Sequence, residues 1–191
     1  WQIEKDKKII LLPGRLTGWK GQEVFLEAIN LVNIELGYEA FYAVILGSDQ
    51  GRNLYKKKII RLTEQLRLTN QVKFIDHCED MALAYKVSDV VVSASIEPEA
   101  FGRVAVEAQS MERPIIASNI GGSNETVIDE KTGFLFQSND AKSLSKKILK
   151  VLSMDEASLK SIGREGRKNI IQKFNVEKMC FSTYSEYKKI L

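Results

Sequence analysis

Six short apolar runs, each followed by a segment with helical spacing, constrain this chain more than any other feature. The runs are 8–12 (KIILL), 40–46 (AFYAVIL), 72–75 (VKFI), 89–94 (DVVVSA), 114–117 (PIIA) and 133–136 (GFLF). Several of them lack the polar alternation of a strand with one wet face. A strand that is apolar on both faces must be covered on both faces, which is the property of a parallel sheet in an α/β protein. Helical patterns lie between the runs, over 22–36, 53–68, 81–87 and 102–111, with a shorter piece at 124–128. Gly37 stops the first, and Pro114 stands where a strand's first position tolerates it. Three further helices, over 141–152, 158–174 and 176–191, close the chain. The expectation is one doubly wound, Rossmann-like α/β domain over 1–191 with C-terminal helices, without internal repeats or low-complexity linkers.

Composition narrows the function classes. The chain has 191 residues, 44% of them hydrophobic and 28% charged, with a formal net charge of +3. That charge is too small to argue for nucleic acid without a clustered patch, but it suits an anionic small ligand. The runs Lys7-Lys8 and Lys56-Lys57-Lys58 read as solvated faces. Cys78 and Cys180 form no C-x-x-C pair, so a reduced, cytosolic compartment is the default. No apolar run approaches the roughly 18 residues that span a bilayer. The chain begins at Trp1 rather than Met, so it is read as a fragment whose true N-terminus and targeting stay open.

In a doubly wound sheet, ligands bind beyond the carboxyl ends of the strands. The loops to inspect are therefore 13–21, 47–51, 76–80, 95–101 and 118–123. The first, PGRLTGWKGQE, resembles two nucleotide motifs and matches neither. Its glycines at 14, 18 and 21 miss the G-x-G-x-x-G spacing, and Trp19 separates Gly18 from Lys20 where a P-loop needs Gly-Lys. What remains is a turn that carries Arg15 and Lys20 to a helix start. Cations gain nothing from that end of a helix unless an anion sits between. The alternative is two surface cations.

The stretch EPEAFGRVAVEA, 97–108, poses the opposite problem, because Glu107 sits inside an apolar helical run. An unpaired buried carboxylate is costly, so Glu107 should face an opening or a partner. Gly102 would admit a ligand to the backbone. The first N–H groups of the helix, on Gly102, Arg103 and Val104, could hold phosphate. Carboxylates cannot bind phosphate, but they accept hydrogen bonds from sugar hydroxyls, two vicinal ones especially well. Glu107 could then reach a ribose, and Glu99 a second sugar beyond the phosphates. The competing reading is an Arg103/Glu107 pair on a solvated face.

Taken together, Glu99 and Glu107 as an E-x7-E motif, the Gly-Arg-x4-Lys loop, SDVVVSAS with its E-AFG loop, and PIIASNIGGSNETVIDEKTGFLF closely resemble the C-terminal domain of the retaining GT-B glycosyltransferases of family 4, also called group 1. The resemblance covers nearly the whole chain. It implies the donor-binding half of an enzyme that moves a sugar from a nucleotide diphosphate sugar to an acceptor hydroxyl. The expected setting is cell-surface glycan or lipopolysaccharide synthesis.

The resemblance also assigns roles. Arg15 and Lys20 match the diphosphate-binding pair, and Gly14 the glycine that gives the phosphates room. Glu107 matches the ribose-binding carboxylate and Glu99 the one that contacts the transferred sugar. Ala100, Phe101, Gly102 and Arg103 match the loop whose amides touch sugar and phosphate. His77 and Cys78 match the segment whose backbone meets the base. Arg15, Lys20 and Glu99 would carry the chemistry. Glu97 adds a third carboxylate, which leaves the sugar contact open between Glu97 and Glu99, with spacing favouring Glu99.

The same resemblance implies no cofactor and no metal, the nucleotide diphosphate sugar being a substrate. Its partners would be an N-terminal domain, which helix 175–191 would cross toward, and an acceptor glycan or lipid. Nucleic acid is not among them. Location is expected to be cytoplasmic, with the cytoplasmic face of a membrane open to the full enzyme. Val176, Met179, Tyr184, Tyr187 and Leu191 give that last helix more apolar surface than a lone terminal helix needs. The alternatives are a nucleotide-sugar-binding module without transfer activity, or half of a GT-B epimerase or phosphorylase. His77, the one histidine, reads as a loop or base-pocket residue. Trp1 and Trp19 read as packing or linker, and 121–125 (GGSNE) as a turn and helix cap.

Overall fold

A computed structural model describes residues 1–37 and 40–190. The six apolar runs become six strands: β1 (Lys8–Pro13), β2 (Phe41–Leu46), β3 (Val72–Ile75), β4 (Val90–Ser93), β5 (Ile115–Ser118) and β6 (Phe134–Phe136). They lie in the order β3-β2-β1-β4-β5-β6, and every neighbouring pair is parallel. The chain therefore winds outward from β1 in one direction and then from β4 in the other. The crevice above the β1/β4 junction is the switch point where such sheets bind ligands.

Alternate residues of each strand feed two cores, one per face. Ile10 and Leu12 of β1 join one core, with Phe25 and Ile29 of helix α1 (Gln22–Leu36), Ile59 of α2 (Asn53–Gln65), and Leu144 and Ile148 of α6 (Ala141–Ser153). Leu11 joins the other, with Tyr85 of α3 (Met81–Val87) and Ala105 and Ala108 of α4 (Arg103–Ser110). These central residues are essentially inaccessible to solvent. The short α5 (Ser123–Thr126) follows β5. The two last helices are α7 (Glu156–Lys173), which packs on α4, and α8 (Val176–Ile190).

Most boundaries agree with the sequence patterns, and two departures have a clear cause. α2 stops at Gln65 rather than 68 because Arg67 adopts a positive φ of 58°. Leu68 stays fully buried beyond that break, which is why the apolar pattern ran on. α7 begins at Glu156 because the Asp155 carboxylate accepts from the Ser158 N–H at 2.9 Å and caps the helix. α8 buries none of its residues, and Val176, Met179, Phe181, Tyr184, Tyr187 and Ile190 are all exposed. Leu191, read as part of that apolar face, lies outside the described residues. Among the described residues, no helix is long and apolar enough to cross a membrane.

Candidate functional site

The loop after β1 is laced to its neighbour by main chain. The Gly14 N–H donates to the Leu46 carbonyl at 2.8 Å, and the Leu16 N–H to the Ser48 carbonyl at 3.1 Å. Gly47 makes this approach possible, since a Cβ there would overlap the Gly14 carbonyl oxygen. From below, the buried Gln22 donates Nε2–H to the Arg15 carbonyl at 2.9 Å. The Tyr55 hydroxyl in turn donates to Gln22 Oε1 at 3.1 Å. Burial pushes the Tyr55 phenol well above its ordinary value, so it remains a donor. The Arg15 backbone is held while its side chain stays exposed. Trp19 stands beside both cations, with Lys20 Nζ 4.4 Å and Arg15 Cζ 5.8 Å from its ring centroid.

Across the β1/β4 junction, Glu99 meets the first loop. Its Oε1 accepts from Lys20 Nζ at 2.8 Å and also from the Ser95 hydroxyl. Only 13% of the Lys20 side chain and 16% of Glu99 reach solvent. The main chain beneath is set by a glycine pair. The Gly122 N–H donates to the Glu99 carbonyl at 2.7 Å. A Cβ at Gly121 would stand 2.6 Å from that same oxygen, and one at Gly122 2.6 Å from the Phe101 carbonyl carbon. The stretch 121–125, read as a turn and cap, is therefore also the surface on which the Glu99 loop rests. Phe101 lies edge-on against Phe174, with ring centroids 5.7 Å apart.

Gly102 then takes a left-handed φ of 75° and opens α4 without a side-chain cap. Among the described residues, no protein acceptor takes the N–H groups of Gly102, Arg103 or Val104. Further along α4, Glu107 has two partners. Its Oε2 accepts from the Tyr85 hydroxyl at 2.8 Å. Its Oε1 accepts from Arg103 Nη2 at 2.8 Å and Nε at 3.1 Å. The Arg103/Glu107 pair named as the competing reading is thus present, with Arg103 83% exposed and Glu107 34% exposed. Glu107 is nonetheless no solvated-face residue, because Tyr85 is 2% exposed.

These walls enclose one cleft of about 710 Å³. Gly14, Arg15, Lys20, His77, Cys78, Glu99, Ala100, Phe101, Gly102, Arg103 and Glu107 all line it. Glu97 is exposed and lies outside that lining, so of the two carboxylates left open by the sequence only Glu99 faces the cleft. A smaller concavity of about 240 Å³, between Lys8, Asp89, Arg113 and Lys160, lies at the amino ends of the strands, away from these residues. Among the described residues no group of His, Cys, Asp and Glu stands ready to hold a metal ion.

Residues 1–169 match the family model of "Glycosyl transferases group 1". The chain belongs to that family. It is 28% identical to the capsular polysaccharide biosynthesis glycosyltransferase CapM of Staphylococcus aureus over 190 residues, which is 100% of this chain and 48% of CapM. A glycosyltransferase from Rickettsia africae ESF-5 superposes with a TM-score of 0.90 at 34% identity, over 98% of this chain and 48% of that one. Anabaena Alr3699/HepE, solved in complex with UDP and glucose, superposes at 0.87 with 26% identity, over 97% of this chain and 49% of its own. The group 1 chain described here thus spans about half the length of each of these three relatives.

Several residues that line or support this group 1 cleft escaped sequence reading. Trp19, read as packing or linker, lines the wall with both cations beside it. Tyr85 carries the same signal as any core aromatic on a short helix, and nothing in its spacing points to Glu107. Ser95 and Gln22 look like ordinary loop and helix residues. Only the adjacency of Trp19 to Lys20 was a usable hint.

Proposed function

We propose that this chain binds the nucleotide diphosphate sugar of a retaining, family 4 glycosyltransferase of the GT-B type, which transfers a hexose to an acceptor hydroxyl without a metal. The observation that carries the proposal is the arrangement around the start of α4. Unclaimed N–H groups of Gly102, Arg103 and Val104 share one cleft with Arg15 and Lys20, and a carboxylate stands to either side. Cations and helix N–H groups suit a diphosphate. Carboxylates suit the hydroxyls that flank it, Glu107 on the ribose and Glu99 on the transferred sugar. An ammonium has three donors, so Lys20 can keep Glu99 and still offer two to phosphate oxygens. That placement stabilises charge on the departing diphosphate, the main electrostatic demand of the reaction. His77 and Cys78 border the space left for the base. HepE, solved with UDP and glucose, supports a nucleotide sugar donor, and CapM, named for capsular polysaccharide biosynthesis, supports a role in cell-surface glycan synthesis, to which the proposal adds lipopolysaccharide as the other acceptor class.

The acceptor is assigned to a further domain, which α8 would meet and which closes the cleft. Without it the 191-residue chain binds donor but does not transfer sugar. Holding the acceptor in line is worth about 7–11 kcal/mol of barrier, and that term is absent. The test is a thermal-shift panel on this chain with UDP, GDP, ADP, their sugars and the free nucleosides. One diphosphate should raise Tm at millimolar concentration, and its nucleoside much less. Equal shifts from nucleoside and diphosphate would remove the phosphate site.

A further inference from the structure

We infer that Tyr85 is a positioning residue for Glu107: its buried hydroxyl fixes one carboxylate oxygen so that the remaining lone pairs meet the two ribose hydroxyls of a bound nucleotide. The inference rests on reading the cleft as a nucleoside diphosphate site. It extends that reading from the groups that touch the ligand to one that sets their geometry.

The placement begins with α3. Ala84 and Tyr85 are its buried residues, and Tyr85 packs into the core that holds Leu11, Val44, Leu46 and Val91. A ring held there cannot swing away, and a buried hydroxyl needs a partner. Tyr85 finds it in Glu107 Oε2 at 2.8 Å. Burial, reinforced by the Glu107 charge, pushes the phenol well above its ordinary value. It therefore stays a donor to the carboxylate at any working pH.

Arg103 behaves differently. Its side chain is 83% exposed, so water can replace it at small cost. Both of its N–H bonds fall on Oε1. A carboxylate offers about four lone-pair sites, and Tyr85 and Arg103 together occupy three of them. When Arg103 turns to solvent, two adjacent hydroxyls can be accepted, while the Tyr85 bond still sets the plane of the group. Glu107 thus has one permanent partner and one exchangeable partner.

The experiment is calorimetric titration with the tightest-binding of UDP, GDP and ADP, and with the 2′,3′-dideoxy form of the same nucleotide. The wild-type chain should prefer the ribose form by roughly tenfold or more, the worth of hydrogen bonds to a charged group. Tyr85→Phe keeps the ring and should remove most of that preference, lowering ribose-form affinity while the dideoxy form changes less than about twofold. Adding Tyr85→Phe to Glu107→Gln should then weaken binding no further. Equal losses on both nucleotides would mean that Tyr85 only packs, and an intact preference would mean that Glu107 does not need it. Either result overturns the inference and leaves the nucleotide site standing. A wild-type chain without any ribose preference overturns the role of Glu107 itself, and the inference with it. Should Tyr85→Phe fail to fold, 4-fluorophenylalanine at position 85 fills the place of the hydroxyl without donating. It should remove most of the ribose preference, and an intact preference would sink the idea.

Discussion

Glu99 and Glu107 line the same cleft and are held in opposite ways. Glu99 sits on a loop, 16% exposed, and shares its Oε1 between Lys20 and Ser95. Its backbone is cast against Gly121 and Gly122. Glu107 sits on a helix, 34% exposed, with a buried phenol on one oxygen and an exposed guanidinium on the other. The first carboxylate is placed by main chain and by a cation that lines the same cleft. The second is placed by regular secondary structure and by the core. They should therefore fail under different perturbations.

The largest separation should come from Gly121→Ala. The new Cβ meets backbone that no rotamer change relieves, at a φ of 58° that non-glycine residues rarely adopt. The expected loss is about 2–4 kcal/mol of stability in urea melts. The affinity advantage of a nucleotide sugar over its free diphosphate should also disappear, because Glu99 moves and Glu107 does not. Unchanged stability together with unchanged donor affinity would show that the loop does not rest on the glycine pair.

Direct removal of charge comes next. Glu107→Gln should weaken free diphosphate and nucleotide sugar alike, by about 1–3 kcal/mol. Glu99→Gln should weaken only the nucleotide sugar, by a similar amount. Calorimetry on both ligands decides the matter, and equal harm from Glu99→Gln to the free diphosphate would undo the division of roles.

An alkaline titration sharpens the role of the core. Tyr85 and Tyr55 both have folded-state values raised by burial above the unfolded phenol value of 10.0. Their contribution is fully present below that pH and declines as pH rises through it toward the folded values. The buried Tyr85 phenol should add about 1.4 kcal/mol per pH unit to the loss of stability above pH ~10, and the partly exposed Tyr55 less. Tyr85→Phe should remove one such increment from the slope measured by denaturant melts. An unchanged slope would place the phenol in water.

The smallest effect is expected from Arg103→Met. An exposed i,i+4 pair contributes less than about 0.5 kcal/mol, so Tm should barely move. A large drop would mean that Arg103, rather than Tyr85, is the fixed partner of Glu107.

The sheet was legible because its strands are apolar on both faces, and six runs could hardly be arranged otherwise. The site residues were legible too, since Arg15, Lys20 and Glu99 on strand-end loops and Glu107 on α4 are charges where packing alone would not put them. The supports were not legible. Tyr85 and Gln22 do their positioning from buried sites, where sequence records only a core aromatic or a helix polar residue. Gly121 and Gly122 look like any turn, because the constraint on them comes from Glu99 and Phe101, some twenty residues earlier in the chain. Arg103 and Glu107 were read as either a surface pair or a ligand site, and the geometry contains the pair together with a buried third partner.

The lacing of the first loops bears on how this cleft could be re-engineered. The Gly14 N–H reaches Leu46, the Gly47 N–H reaches the Ile75 carbonyl at 2.8 Å, and Gly47 leaves no clearance against Gly14. Three consecutive strand ends are thereby locked into one casting that cannot be lengthened or grafted piecemeal at 13–16 or 46–48. Libraries aimed at new ligands should leave that backbone untouched and vary what projects from it, such as Gln50 and His77. The opposite wall, 95–101, rests on Gly121 and Gly122 and is also tied to the first loop, where the Ile96 N–H donates to the Trp19 carbonyl at 2.8 Å, so it can be exchanged only together with 121–122 and with that contact kept.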